Sequence, residues 1–136
     1  MLMAMVHELI IGKGQDIKSA IEAFVLEKKW ENVYISGAIG SVIDTKFTTP
    51  VDDSFPPKVS VVGTGNQPGE MLSFTGEIMA RERMDPALKE IYKGDGPLFI
   101  HIHASVAVAG SHVYGGGLSS GKAFRALKVY LQPIDG

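Results

Sequence analysis

The sequence predicts an α+β domain, with a curved, mainly antiparallel sheet of about seven strands packed on one long helix. Three observations predict it. Only the stretch after Asp16 has strong helical periodicity; most other apolar residues fall in short alternating runs; and several of those runs are joined by short turns bearing Gly or Pro. Strands therefore outnumber the helices that parallel crossovers require. A chain of 136 residues, 45% hydrophobic and 21% charged, fits a single domain over 1–136 with its own core.

In order, "AMVHELIIG" alternates as a first strand and "KGQD" turns the chain. The helix starts at Asp16, a good N-cap. Its apolar residues Ile17, Ala20, Ile21, Phe24 and Val25 recur at the spacing that gathers one stripe, and Lys28 and Lys29 complement the helix dipole at its end. Trp30 is expected to pack under the exit. "NVYISGAIGSVIDTKFTT" reads as two strands meeting at Gly37 and Gly40, where missing side chains permit a bulge or close backbone approach. "PVDDSFPP" holds three of the seven prolines and cannot pair inside a sheet. "KVSVVG" and "EMLSFTGEIMA" are further strands, the second with a bulge expected at Gly76. "RERMDPALKEIYKGDG" is polar, with room for one short helix after Asp85-Pro86. "PLFIHIHASVAVAG" is a buried strand, "YGGGLSSG" a tight connection, and "KAFRALKVYLQPI" the last strand. An open sheet of this kind leaves edges, which makes oligomerisation the default expectation.

Composition excludes several functions. With no cysteine there is no disulfide scaffold, thiolate site or cysteine nucleophile, so a metal would have to use His, Asp, Glu or carbonyl oxygen. "MLMAMVHELIIGKG" lacks the marks of a signal peptide and no apolar run reaches the roughly 20 residues of a membrane span, so the expected location is cytoplasmic and no membrane partner is expected. The net charge of −2 and the scattered cations Lys28, Lys29, Arg81, Arg83, Lys122, Arg125 and Lys128 make no basic arm, which argues against strong non-specific binding of nucleic acid.

The chemistry-bearing residues cluster late in the chain. In an extended strand Phe99, His101, His103, Ser105 and Ala107 share one face, and Leu98, Ile100, Ile102, Ala104, Val106 and Val108 the apolar other. Two imidazoles at i and i+2 can reach one ion, but zinc wants at least three protein ligands or a well-held fourth position. Taken alone, the pair fits hydrogen-bonded imidazoles at a sheet face or interface better. "YGGGLSSG", with Gly115, Gly116 and Gly117, lacks the lysine and the following helix of a phosphate-binding loop. Ser105, Ser119 and Ser120 have no nucleophile elbow around them. Glu70 and Glu77 fall on opposite faces by parity unless a bulge resets the register, and His7 and His112 stand alone.

The ordered blocks "GKGQDIKSAIEAFVLEKKWENVYISGAIGSV", "PGEMLSFTGEI", "HIHASVAVAGSHVYGGGLSSG" and "ALKVYLQP" resemble the plant and prokaryote conserved (PPC) domain from about Met5 to Pro133. The resemblance implies a curved sheet on a helix and a homotrimer. It also implies a metal site in many prokaryotic members, made by an H-x-H strand and a third histidine in a "GGHL" turn. Here His101 and His103 keep the strand, but the turn reads "GGGL", with Gly117 in the third ligand's place. Zinc or another divalent metal would then need a carboxylate, water or His112 to complete its shell. Glu70, Gly37 and Gly40 lie in the other matching blocks and are carried as binding or structural residues. Plant members look like assembly and partner-binding modules whose DNA contacts belong to AT-hooks; this sequence has none, so DNA binding is expected to be weak or absent.

Three functions follow in order of preference. The first is a non-enzymatic homotrimeric module that binds other proteins or a small ligand. The second is a metal-binding protein or metal-assisted enzyme using the H-x-H strand, and the third a DNA-associated regulator.

Overall fold

The computed structural model describes residues 5–89 and 91–134. Six strands and one α-helix form the frame: β1 (His7–Gly12), α1 (Ile17–Lys28), β2 (Val33–Pro50), β3 (Val59–Gly63), β4 (Gly69–Ala80), β5 (Leu98–Val108) and β6 (His112–Pro133). Every strand pairing is antiparallel, in the order β1-β6-β5-β4-β2-β3, and β2 also pairs with β6. That last pairing curls β2, β4, β5 and β6 into a closed ring, so the open sheet expected from the sequence is instead largely edgeless, with β1 and β3 extending it.

Among the described residues the strand count is six, one below the expectation, because β2 runs through Gly37 and Gly40 without a break. Gly40, at φ 137°, forms a local irregularity that lets β2 lie against β6. β6 likewise absorbs the whole glycine run: Gly115, Gly116 and Gly117 are paired strand residues opposite Ser105, Ala104 and His103. The expected glycine turn therefore does not exist there. The chain turns earlier, at Ala109, Gly110 and Ser111, all with positive φ.

The helix is shorter than the long one expected, at 12 residues. Its predicted cap is present: the Asp16 carboxylate accepts from Ser19 N at 2.9 Å and Ser19 Oγ at 2.8 Å. At its end Lys29 adopts the left-handed conformation, and Trp30 packs edge-on against Phe24 and His7. Ile17, Ile21 and Val25 form the buried face, packed with Ile11, Leu127, Val129 and Leu131 in one core. Three fully buried aliphatic side chains, each contributing roughly 1.5–3 kcal/mol by leaving water, fasten this short helix to the sheet.

The bulge in β4 lies between Met71 and Ser73, not at Gly76. The extra residue, Leu72, resets the alternation, so Glu70 opposite Ala107 and Glu77 opposite His101 share one face rather than two. Gly76 stays in register with Ile102 and lets the strands approach closely; a Cβ there would overlap the His101 carbonyl.

Candidate functional site

Register builds the site. Residues directly opposite in neighbouring strands share a face, so Thr75 (β4), His103 (β5), Gly117 (β6) and Thr48 (β2) form one row across the outside of the sheet. The next row holds Tyr34, Glu77 and His101, and on the other side Ser73 meets Ser105, with their hydroxyls 2.7 Å apart. As the alternation predicted, Ile100, Ile102, Ala104 and Val106 are buried on the opposite face.

His101 is held on three sides. Its ring stacks on Phe99 at 5.2 Å, meets Tyr92 edge-on at 5.1 Å, and stands nearly perpendicular to His103 with centroids 5.0 Å apart. Its Nδ1 lies 3.6 Å from Glu77 Oε1, and the side chain is only 20% exposed. Burial pushes its pKa below the ordinary 6.5, the neighbouring His103 adds to the fall, and Glu77 opposes it. The neutral imidazole is therefore the resting form at neutral pH, with a free lone pair for a donor or a metal.

A pH dependence follows. The folded-state pKa lies below the unfolded one, so the stability contributed by neutral His101 is fully present above 6.5 and is lost as pH falls from there through the folded value. We expect the thermal midpoint to drop as pH falls below 6.5, and His101→Gln to flatten that part of the curve. A midpoint with the same pH slope in the variant would contradict it.

Tyr92, in the connection between β4 and β5, completes the site. The connection carries two single 3-10 turns, Arg81–Arg83 and Pro86–Leu88, the second capped by Asp85 as the Asp-Pro pair predicted, and Tyr92 N donates to Leu88 O at 2.8 Å. The Tyr92 ring contacts Phe99 and His101, and its hydroxyl reaches Thr48. Burial raises the phenol's pKa, so it remains protonated and able to donate. A Cβ on Gly117 would overlap this hydroxyl and come within 3.1 Å of Thr48 Oγ1. Tyr92 thus fills the space that a third histidine at position 117 would need.

Beside these groups opens a cleft of about 580 Å³. Pro50, Pro57, Val59, Leu88 and Ile91 make its apolar wall; Thr48, Thr75, Tyr92, His101 and His103 supply its polar groups. The volume is in the range of small-molecule sites, which combine an apolar lining with a few polar groups that fix orientation.

Several predicted residues lie elsewhere. His112 pairs with Val108, five residues along β5 from His103 and about 17 Å away, so within one subunit it does not reach the histidine pair. Glu70 lines a separate hollow with Ile39, Ser41 and Arg125. Gly37 and Gly40 serve the β2–β6 pairing. Among the described residues no three His, Cys, Asp or Glu side chains converge as a metal cage. Sequence reasoning missed Tyr92, Thr48 and Thr75. The threonines become visible only through register, and Tyr92 sits in a segment without periodicity.

A family model for the Plants and Prokaryotes Conserved (PCC) domain matches residues 3–135. The chain belongs to this family. Among solved structures, the PCC chain is similar to a plant- and prokaryote-conserved protein from Pyrococcus horikoshii, with a TM-score of 0.76 and 20% identity over 100% of this chain and 83% of that one. It is also similar to a metal-containing protein from Archaeoglobus fulgidus, with a TM-score of 0.74 and 27% identity, covering 97% of this chain and 81% of that one. A third similar structure is a candidate DNA-binding protein from Bacteroides thetaiotaomicron, at TM-score 0.71 and 17% identity, covering 96% and 80%. No curated protein matches the sequence. Among the described residues of the PCC domain, no helix is long and apolar enough to cross a membrane.

Proposed function

We propose that this PCC domain is a self-associating, homotrimeric module that binds a small ligand in the cleft beside His101 and His103. The observation that carries the reading is the cleft itself. One apolar wall faces two imidazoles, two threonine hydroxyls and a half-buried phenol, the mixture that orients a small molecule with both an apolar body and hydrogen-bonding groups. Self-association is supported by exposed apolar residues on the sheet's outer surface: Leu72 at the bulge and Val113 opposite Ala107 leave apolar area in water that a second copy would cover. The test is a fragment screen read by backbone and imidazole chemical shifts. We expect hits that move His101, His103 and Gly117 together and lose their effect in a His101→Ala, His103→Ala double variant; hits that ignore these residues would contradict the reading.

A second reading is favoured by Glu77. Its carboxylate lies beside His101 Nδ1, the arrangement that fixes a ligating imidazole so that Nε2 faces a metal. His101 and His103 would hold the ion, with water in the remaining positions, and a bound divalent metal would supply Lewis acidity there. The metal-containing archaeal neighbour supports this reading; Gly117 and the Tyr92 hydroxyl above it count against tight zinc. The DNA reading comes third, since a net charge of −2 gives little attraction for phosphates.

A further inference from the structure

A second hollow of about 460 Å³ lies between α1, the β4–β5 connection and the start of β5. Lys18, Arg81 and Lys93 line it with Ser19 and Ser119, against a single carboxylate, Glu22. Among the described residues neither Lys18 nor Arg81 has a carboxylate within 4.0 Å; the ion pair present is His101 with Glu77. Asp16 attracts Lys18 electrostatically without forming a close pair with it; its carboxylate caps α1 through Ser19.

Two features make this more than a pair of surface cations. Arg81 is fixed in place: its Nε donates to Gly96 O at 2.7 Å and its Nη2 to Leu98 O at 3.0 Å, while Nη1 meets no protein acceptor among the described residues. Its guanidinium is thus oriented before any ligand arrives, which lowers the ordering cost of a charge-assisted contact. Lys18 is half-buried, with its ammonium 5.6 Å from the Tyr92 ring centroid. Burial depresses its pKa and Arg81 adds to the fall, while Asp16 opposes it.

We propose that this hollow is an oxyanion-binding site, in which Lys18 and Arg81 take a carboxylate or phosphate group carried by a small molecule. A bound oxyanion would supply a close counter-charge inside the hollow, accept from the free guanidinium donors, and draw a hydrogen bond from the Ser119 hydroxyl; the Ser19 hydroxyl is already committed to Asp16. The hollow shares Ile91 and Tyr92 with the histidine cleft, but Lys18 and Arg81 do not line that cleft, and the proposal does not rest on the function proposed for it.

The test uses the full chain, labelled with nitrogen-15 and titrated separately with inorganic phosphate and with acetate, at ionic strength held constant with chloride. The reporters are the backbone amides of Lys18, Ser19, Arg81 and Leu98. We expect saturable shifts with at least one of the two anions; saturation by phosphate alone identifies a phosphate site, and by acetate alone a carboxylate site. Lys18→Met should weaken binding about tenfold, the loss of one charge-assisted hydrogen bond. Lys18 makes no hydrogen bond to the protein among the described residues, so its removal should leave the fold intact. Arg81→Lys, which keeps a cation but loses the fork, should also weaken it. Shifts that grow linearly with either anion, or saturation unchanged in both variants, would overturn the proposal.

Discussion

Replacing Gly117 with histidine is expected to destabilise the domain without creating a tight zinc site, and replacing Tyr92 with alanine in the same chain is expected to create one. The single change places a Cβ on the Tyr92 hydroxyl and close to Thr48, an overpacking that costs about 1–3 kcal/mol. With the phenol gone, an imidazole at position 117 would stand directly opposite His103, beside His101, giving three ligands on one face. Zinc affinity should rise by more than the roughly 10–100-fold that an outer-shell partner is worth. The two substitutions occupy the same space and should be strongly non-additive. Thermal melts and competitive zinc titrations on wild type, both single variants and the double variant measure both effects. If Gly117→His alone bound zinc as tightly as the double variant, Tyr92 would not be what fills the third position.

Gly40→Ala is expected to cause the largest loss of stability from a single methyl group. At φ 137° the backbone of Gly40 has a conformation that side chains rarely adopt, and a Cβ would run into the Ala126 carbonyl. Strain and overlap together should cost about 3 kcal/mol or more. For a domain of this size the melting midpoint should fall by on the order of 10 °C. Gly37→Ala provides the comparison, because a Cβ there meets nothing within 4 Å. Equal losses in the two variants would show that the β2–β6 crossing does not depend on the Gly40 backbone.

These two glycines show where the sequence was legible and where it was not. Both stood out as strand irregularities, and the close approach expected of them is present at Gly40; but local reading cut the strand there, whereas pairing with β6 carries it through. The same happened at Gly115, Gly116 and Gly117, where glycine density suggested a turn and tertiary pairing demanded small residues between β5 and β2. The helix, its Asp16 cap and the two faces of β5 were readable because they depend on local periodicity. The closure of the sheet was not, since no local pattern says that β2 and β6 will meet. The histidine pair was evident from alternation alone. Its surroundings were not: Thr48 and Thr75 depend on register, a bulge at Leu72 reversed the parity of Glu77, and Tyr92 arrives from a segment with no periodic signal.

The measurement that tests the central claim most directly is native mass spectrometry of the purified protein before and after addition of zinc. It reports subunit number, retained metal and any small molecule carried through purification in one spectrum. We expect a trimer that takes up zinc only weakly, loses it to a mild chelator, and shows a small-molecule adduct when incubated with a cleft-binding fragment. A monomer, or a trimer that retains one zinc per subunit against the chelator and excludes the fragment, would contradict the account.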